Sequence, residues 1–362
     1  MNRLLALIIL FASSFTLKAQ SPNWSIEGKW RSGFLLAHRG VMGHLATEHA
    51  HGFELIASKR ASGKKQWHQA FGNPDFNFHL YYGGVGNRAV LGNYLGLYST
   101  IAYPLTQTPN FRLNLFMGTG IGFTNKVYDQ YDNPKNVAMA SRIYAIMNLG
   151  LQARYSFQKN TIGLGLDLMH FSNGGSKLPN LGLNLPYLSL SYARTLNEQE
   201  AVNPEQIKRF QQRKIFYGFT ASGSAKQVYP TGTRTYPVFA LNLHARTILK
   251  PKMGWELSFD IVSKQSLLGY RPDIEKTQWR MLQVGVFAGY LLPLDRFHYV
   301  FGVGTYLKDY YKADESIYLK IGGRYYFDNG LHGQFALKTH YGKADYIELG
   351  IGYSFNYARH EK

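Results

Sequence analysis

Hydrophobic and polar residues alternate one by one along most of this chain. Between Asp345 and Phe355, the residues Ile347, Leu349, Ile351, Tyr353 and Phe355 share one face, with Glu348, Gly350, Gly352 and Ser354 opposite. Trp255, Leu257, Phe259 and Ile261 alternate with Glu256, Ser258 and Asp260, and Ile317, Leu319 and Ile321 alternate with Lys320, Gly322 and Arg324. A period of two puts successive side chains on opposite faces of an extended strand. One such strand suits a soluble sandwich equally well. Many of them, with aromatic residues at their ends and small or charged residues on the inner row, match a lipid belt around a polar lumen. The pattern predicts an all-β chain folded as a transmembrane antiparallel β-barrel.

Strands are expected near 34–40, 51–61, 76–86, 92–105, 111–125, 140–157, 161–172, 186–196, 215–229, 235–249, 253–267, 281–294, 297–307, 316–327, 331–342 and 345–355. That makes roughly sixteen, with 12–14 the alternative, and an even number suits bacterial barrels. Short joins such as 158–160, 250–252 and 328–330 fall on the periplasmic side, while the long polar joins 125–138 and 268–280 fall outside. Barrels keep their longer loops outside. The joins Ser62–Asp75 and Leu196–Lys214 break this rule. The second starts like a helix at Asn203-Pro204-Glu205 and reads as a hinge between two eight-strand halves, although no sequence repeat accompanies it.

The first residues change the compartment. Arg3, an apolar run from Leu4 to Phe11 and a small-residue end at Ala19 read as a secretory signal peptide. The run is too short to span a membrane as a helix. Roughly 340 residues remain, enough for two soluble domains or one large barrel. A mean hydropathy of -0.25 excludes a helical membrane protein but suits a barrel, where only alternate residues meet lipid. With no cysteine there is no lipid anchor on a thiol, no disulfide and no thiol nucleophile. The net charge of +18 admits anionic lipid or lipopolysaccharide as partners, and export leaves no role for nucleic acid. The organisation expected is a signal peptide over 1–19, a barrel half over 20–196, a periplasmic linker over 197–214 and further barrel strands over 215–362.

Most candidate chemistry reduces to ordinary structure. His38, His44, His49 and His51 crowd one outer loop with Glu48, without the spacing that sets two ligands on one helical face, so a solvated loop is preferred to a metal site. Gly118, Gly120 and Gly122 lie inside a strand with no helix after them, which excludes a dinucleotide loop. Glu256, Asp260, Lys320, Arg324 and Glu348 face the lumen and brace it. No metal or cofactor is expected.

One stretch differs. Ile162, Leu164, Leu166 and Leu168 form an outward row that His170 and Ser172 continue, while Asp167 points inward. Residues two apart on a strand lie roughly 6.6–7 Å apart on one side, within reach of an imidazole and a hydroxyl. Asn184 shares the outward parity of Leu188, Leu190 and Tyr192 in the following strand. Three polar groups thus meet on a face turned to lipid, where unpaired polar atoms cost several kcal/mol. On His-x-Ser alone, the boundary between membrane and water explains them.

His170-Phe171-Ser172-Asn173, followed by Pro179-Asn180-Leu181-Gly182, resembles the signature of the outer-membrane lipid A 3-O-deacylase family, PagL, tightly over residues 168–186. Those enzymes are eight-stranded barrels with a serine hydrolase site facing the membrane. The resemblance implies Ser172 as nucleophile, His170 as general base, and Asn173 with Gly174 as oxyanion donors. It departs in two ways: the family's acidic member falls on Asn184, and the chain is about twice that barrel's length. Lys177 is the candidate for a lipid A phosphate. The expected function is an outer-membrane serine esterase removing an ester-linked acyl chain from lipid A. A pore or structural barrel with a vestigial site is the alternative, because sixteen strands in one ring leave an aqueous lumen. The acyl chain cut and the oligomeric state are left open.

Overall fold

The computed structural model describes residues 24–197 and 215–355, except 271, 272, 274, 276 and 313. The expected signal peptide and almost all of the expected linker lie outside these residues. The first eight strands are β1 (Trp24–Gly33), β2 (Ala50–Arg60), β3 (Asp75–Gly84), β4 (Asn93–Gln107), β5 (Phe111–Thr124), β6 (Ile143–Phe157), β7 (Asn160–Ser172) and β8 (Leu183–Thr195). The second eight are β9 (Phe216–Gln227), β10 (Thr235–Lys250), β11 (Met253–Lys264), β12 (Leu282–Leu294), β13 (Phe297–Lys308), β14 (Ile317–Tyr326), β15 (Leu331–His340) and β16 (Lys343–Ser354).

Sixteen strands are present, but they close as two barrels of eight. β8 pairs back onto β1 and β16 onto β9, all antiparallel. Eight strands enclose only enough space for side chains, so neither ring holds the wide lumen on which the pore alternative depends. The first strand is also displaced from its expected place. Residues 34–38 are irregular and a 3-10 turn covers Gly40–Leu45, while β1 lies at Trp24–Gly33. Its inward row is Glu27, Lys29 and Arg31, and three charges in alternation do not advertise a strand unless a polar lumen receives them.

That lumen does receive them. Arg31 donates to Glu54 at 3.0 Å, to Tyr98 at 2.9 Å and to Asp167, all buried. In the second barrel, Lys320 meets Asp260 at 2.8 Å and Arg246 meets Glu256 at 2.6 Å. Charges taken out of water need such partners, because desolvation alone costs several kcal/mol per ion. Above Arg31 the first barrel is plugged by an apolar cluster that includes Met42, Tyr81, Tyr94, Tyr144, Phe171 and Leu185.

Contacts at both ends hold the barrels side by side. At the end carrying the long loops, the Gln227 N–H donates to the Gly175 carbonyl at 3.1 Å, and the Leu178 N–H donates to the Gln227 side chain at 2.6 Å. At the other end, a short helix α1 (Gln66–Ala70) occupies the long 62–75 join. There Lys65 pairs with Asp295, and the Lys252 ammonium sits 5.0 Å from the centre of the Phe71 ring. Between the two ties the facing walls leave an apolar cleft of about 890 Å³.

Candidate active site

The alternation that runs up β7 carries through to its end. Ile162, Leu164, Leu166 and Leu168 are exposed outward, and Asp167 turns inward to Arg31 and Asn148. Phe171 faces inward against the rings of Tyr94 and Tyr144, 5.2 and 5.1 Å away. This buried ring anchors the strand end and holds His170 and Ser172, its two neighbours, on the outer face. β8 lies in register beside it, with His170 opposite Asn184. On the other flank, Ala145 of β6 is opposite Ser172.

The imidazole is held from behind. His170 Nδ1 lies 2.7 Å from Asn184 Oδ1. Since an amide oxygen only accepts, Nδ1 carries the proton and Nε2 keeps its lone pair. Asn184 Nδ2 lies 3.1 Å from His38 Nδ1, so one amide joins two imidazoles. Gly182, at φ +73°, leaves the ring its room: a Cβ there would come within 2.9 Å of His170 Cε1.

Ser172 is only 9% exposed. Asn180 Nδ2 donates to its Oγ at 2.9 Å, and the Gly174 N–H donates to it at 3.1 Å. Among the described residues, no hydrogen bond joins His170 to Ser172. The loop after β7 is built on Asn173: its amide nitrogen donates to the Lys177 carbonyl at 2.8 Å, and its oxygen accepts from the Gly175 N–H at 2.9 Å. The Asn173 N–H itself donates to Asn180 Oδ1 at 3.1 Å. Lys177 offers this loop its carbonyl and leaves its side chain exposed. Gly174, at φ +67°, passes so near Ile347 of β16 that a Cβ would meet its Cγ1 at 2.4 Å. The second barrel thus abuts the loop that carries the serine's neighbours.

Residues 51–193 match the family described as lipid A 3-O-deacylase (PagL), and residues 215–357 match acyloxyacyl hydrolase, C-terminal domain. The chain belongs to the lipid A 3-O-deacylase family. It is therefore an ester hydrolase, and lipid A is the substrate the family name carries. No curated protein matches it. Among solved structures, a mutant of Rh. blastica porin is 11% identical, covers 92% of this chain and 100% of its own, and has a TM-score of 0.21. CdiB from Acinetobacter baumannii is 10% identical over 93% of this chain and 60% of its own, with a TM-score of 0.19.

The deacylase match covers all the expected site residues, and the structure gathers His170, Ser172, Asn173, Gly174 and Asn184 at one strand end. Two further side chains contact the candidate residues without being legible as such in the sequence. Asn180 stood in the quoted motif without a role, yet it holds the serine. His38 was grouped with the loop histidines, yet it reaches Asn184. The other members of that group make ordinary contacts: His44 Nε2 meets the Lys135 carbonyl at 2.8 Å, and His51 stacks on Trp30. Gly118, Gly120 and Gly122 stay within β5. Among the described residues, one group has metal-ligand spacing, Asp314, His340 and Asp345 in the second barrel. Lys264 pairs with both of its carboxylates, so an ammonium already supplies the cation there.

Proposed function

We propose that this chain is an outer-membrane serine esterase that removes an ester-linked acyl chain from lipid A. The observation carrying the reading is the 2.7 Å contact between His170 Nδ1 and Asn184 Oδ1, two residues before a serine on the same lipid-facing row. With Nδ1–H donated to Asn184, the lone pair on Nε2 is free to take a proton. Ser172 Oγ turns from Asn180 towards His170 when substrate enters. Catalytic hydrogen bonds often tighten only in the substrate complex.

Ser172 Oγ then attacks the ester carbonyl carbon as its proton passes to Nε2. Collapse of the tetrahedral intermediate expels the lipid A hydroxyl, which takes the proton back, and water releases the fatty acid by the same route. The Gly174 N–H, already 3.1 Å from Oγ, and the Asn173 N–H are the oxyanion donors. Lys177, exposed on the loop, meets a lipid A phosphate. Incubating purified protein with lipid A and reading the products by mass spectrometry tests the proposal. Wild type should release a fatty acid, Ser172→Ala should release none, and Ser176→Ala should retain activity. Release by Ser172→Ala at the wild-type rate would refute the nucleophile assignment.

A further inference from the structure

The cleft between the barrels begins at the candidate site and descends through the membrane. Asn173 and Ser176 of the site loop line its upper end, together with Ala145, the residue opposite Ser172. Beside and below them the first barrel contributes Ile121, Ile101 and Phe78, and the second contributes Ile347, Leu349 and Phe335. These are outward positions that would ordinarily face bulk lipid. Here they face each other, because the ties at Gln227 and Asp295 hold the barrels apart at a set distance.

Three features say what fills the space. Its volume of about 890 Å³ is that of a ligand site. Its walls are mostly apolar, with polar residues at Asn173 and Ser176 beside Ser172 and at Asn77 and scattered hydroxyl residues elsewhere, which suits a chain with one polar end. From Ile121, level with Ala145, to Met117, level with Ile101, the first barrel's wall descends four residues, about 13 Å at ~3.4 Å each. One leaflet of hydrocarbon is about 15 Å deep. We infer that this cleft is the acyl-chain subsite, which receives the fatty acyl chain whose ester lies at Ser172, and that the second barrel supplies one wall and thereby selects chain length. The inference rests on the esterase reading above. An acyl chain leaving the serine must run down into the membrane, and the small side chain of Ala145, beside Ser172, leaves the way from the serine into the cleft open. On the facing wall, β9 presents Ala221, Gly223 and Ala225 outward, two of which line the cleft and leave the chain its width.

Gly223 makes the inference testable, since a Cβ there has no neighbour within 4 Å and a side chain would project into the cleft without displacing the barrel. Purified full-length protein in phospholipid liposomes is assayed on p-nitrophenyl butyrate and p-nitrophenyl myristate. Gly223→Trp should lower kcat/KM on the long ester about tenfold more than on the short one, equivalent to about 1.4 kcal/mol. Leu257→Trp, on the lipid face of β11 outside the cleft, should leave the ratio unchanged. Equal effects of Gly223→Trp on both esters would overturn the subsite. If wild type cleaves neither ester, the esterase reading fails, and the cleft is judged by binding alone. The chain has no cysteine, so Gly223→Cys and Leu257→Cys each carry a single thiol. Lipid A added to such liposomes should slow maleimide labelling severalfold at residue 223 and not at 257. Equal protection at both positions, or none, would overturn the inference on that arm as well.

Discussion

Asn184 is the residue where the proposed site departs from a carboxylate triad, and its two contacts define what it can do. Its oxygen faces His170 and its amide nitrogen faces His38, so it orients one imidazole while being oriented by another. An amide cannot offset the imidazolium that forms during attack, whereas a carboxylate can, and more strongly at a lipid boundary than in water. Asn184→Ala is therefore expected to lower kcat about 10²- to 10⁴-fold without loss of heat-modifiability. Asn184→Glu should equal or exceed wild type, the gain being limited by desolvation of the new charge. Turnover of purified variants on lipid A checks the order, and an alanine variant as fast as wild type would remove Asn184 from the mechanism. His38 gives a second test. An amide can present its nitrogen to His170 by a flip, and His38 holds it in the productive sense. His38→Ala should slow wild type several-fold yet have no effect beside Asn184→Glu, whose two oxygens are equivalent. The double-mutant cycle measures that coupling directly.

At the scale of elements, the site is a strand end followed by a loop that must fold tightly. β7 supplies the outward row, Phe171 pins it to the barrel interior, and β8 brings Asn184 alongside. The return through Asn180 and Gly182 closes the site from above. Gly182 takes a left-handed conformation that a side chain resists, and its absent Cβ is where the imidazole edge lies. Gly182→Ala is expected to strain the turn by about 1 kcal/mol or more and push His170 off its line to Ser172. kcat should fall well over tenfold while the unfolding midpoint moves only slightly. Unchanged kcat would show that the ring has slack to absorb the methyl group.

For the whole molecule, the decisive feature is closure into two narrow rings. Arg31 with Glu54 and Asp167 crosses the first lumen, and Lys320 with Asp260 and Arg324 with Glu256 cross the second. An ion entering either ring would have to part these buried pairs, and leaving one partner uncompensated costs about 3–5 kcal/mol. Purified protein in planar bilayers is therefore expected to give no stepwise conductance. Steady ohmic channels would show that one of the rings opens and would revive the pore alternative. With both lumens closed, the proposed site lies on the outward wall of the first barrel.

The sequence by itself determined the strands, because a period of two is written residue by residue and depends on nothing distant. Fifteen of the expected segments overlap β2–β16, and the outward parity of His170, Ser172 and Asn184 follows from the same count. β1 was misplaced because its alternation is one of charges, which are legible as a strand only once Glu54 and Asp167 are known to face Arg31. Ring closure was decided by tertiary structure alone. Whether β8 pairs with β1 or with β9 is a choice between hydrogen-bonding edges far apart in sequence, and both choices leave every side chain on the same face. The roles of Asn180 and His38 were likewise invisible, since loop residues carry no period, and only the folded return of the chain brings an amide to a serine hydroxyl and a distant imidazole to Asn184.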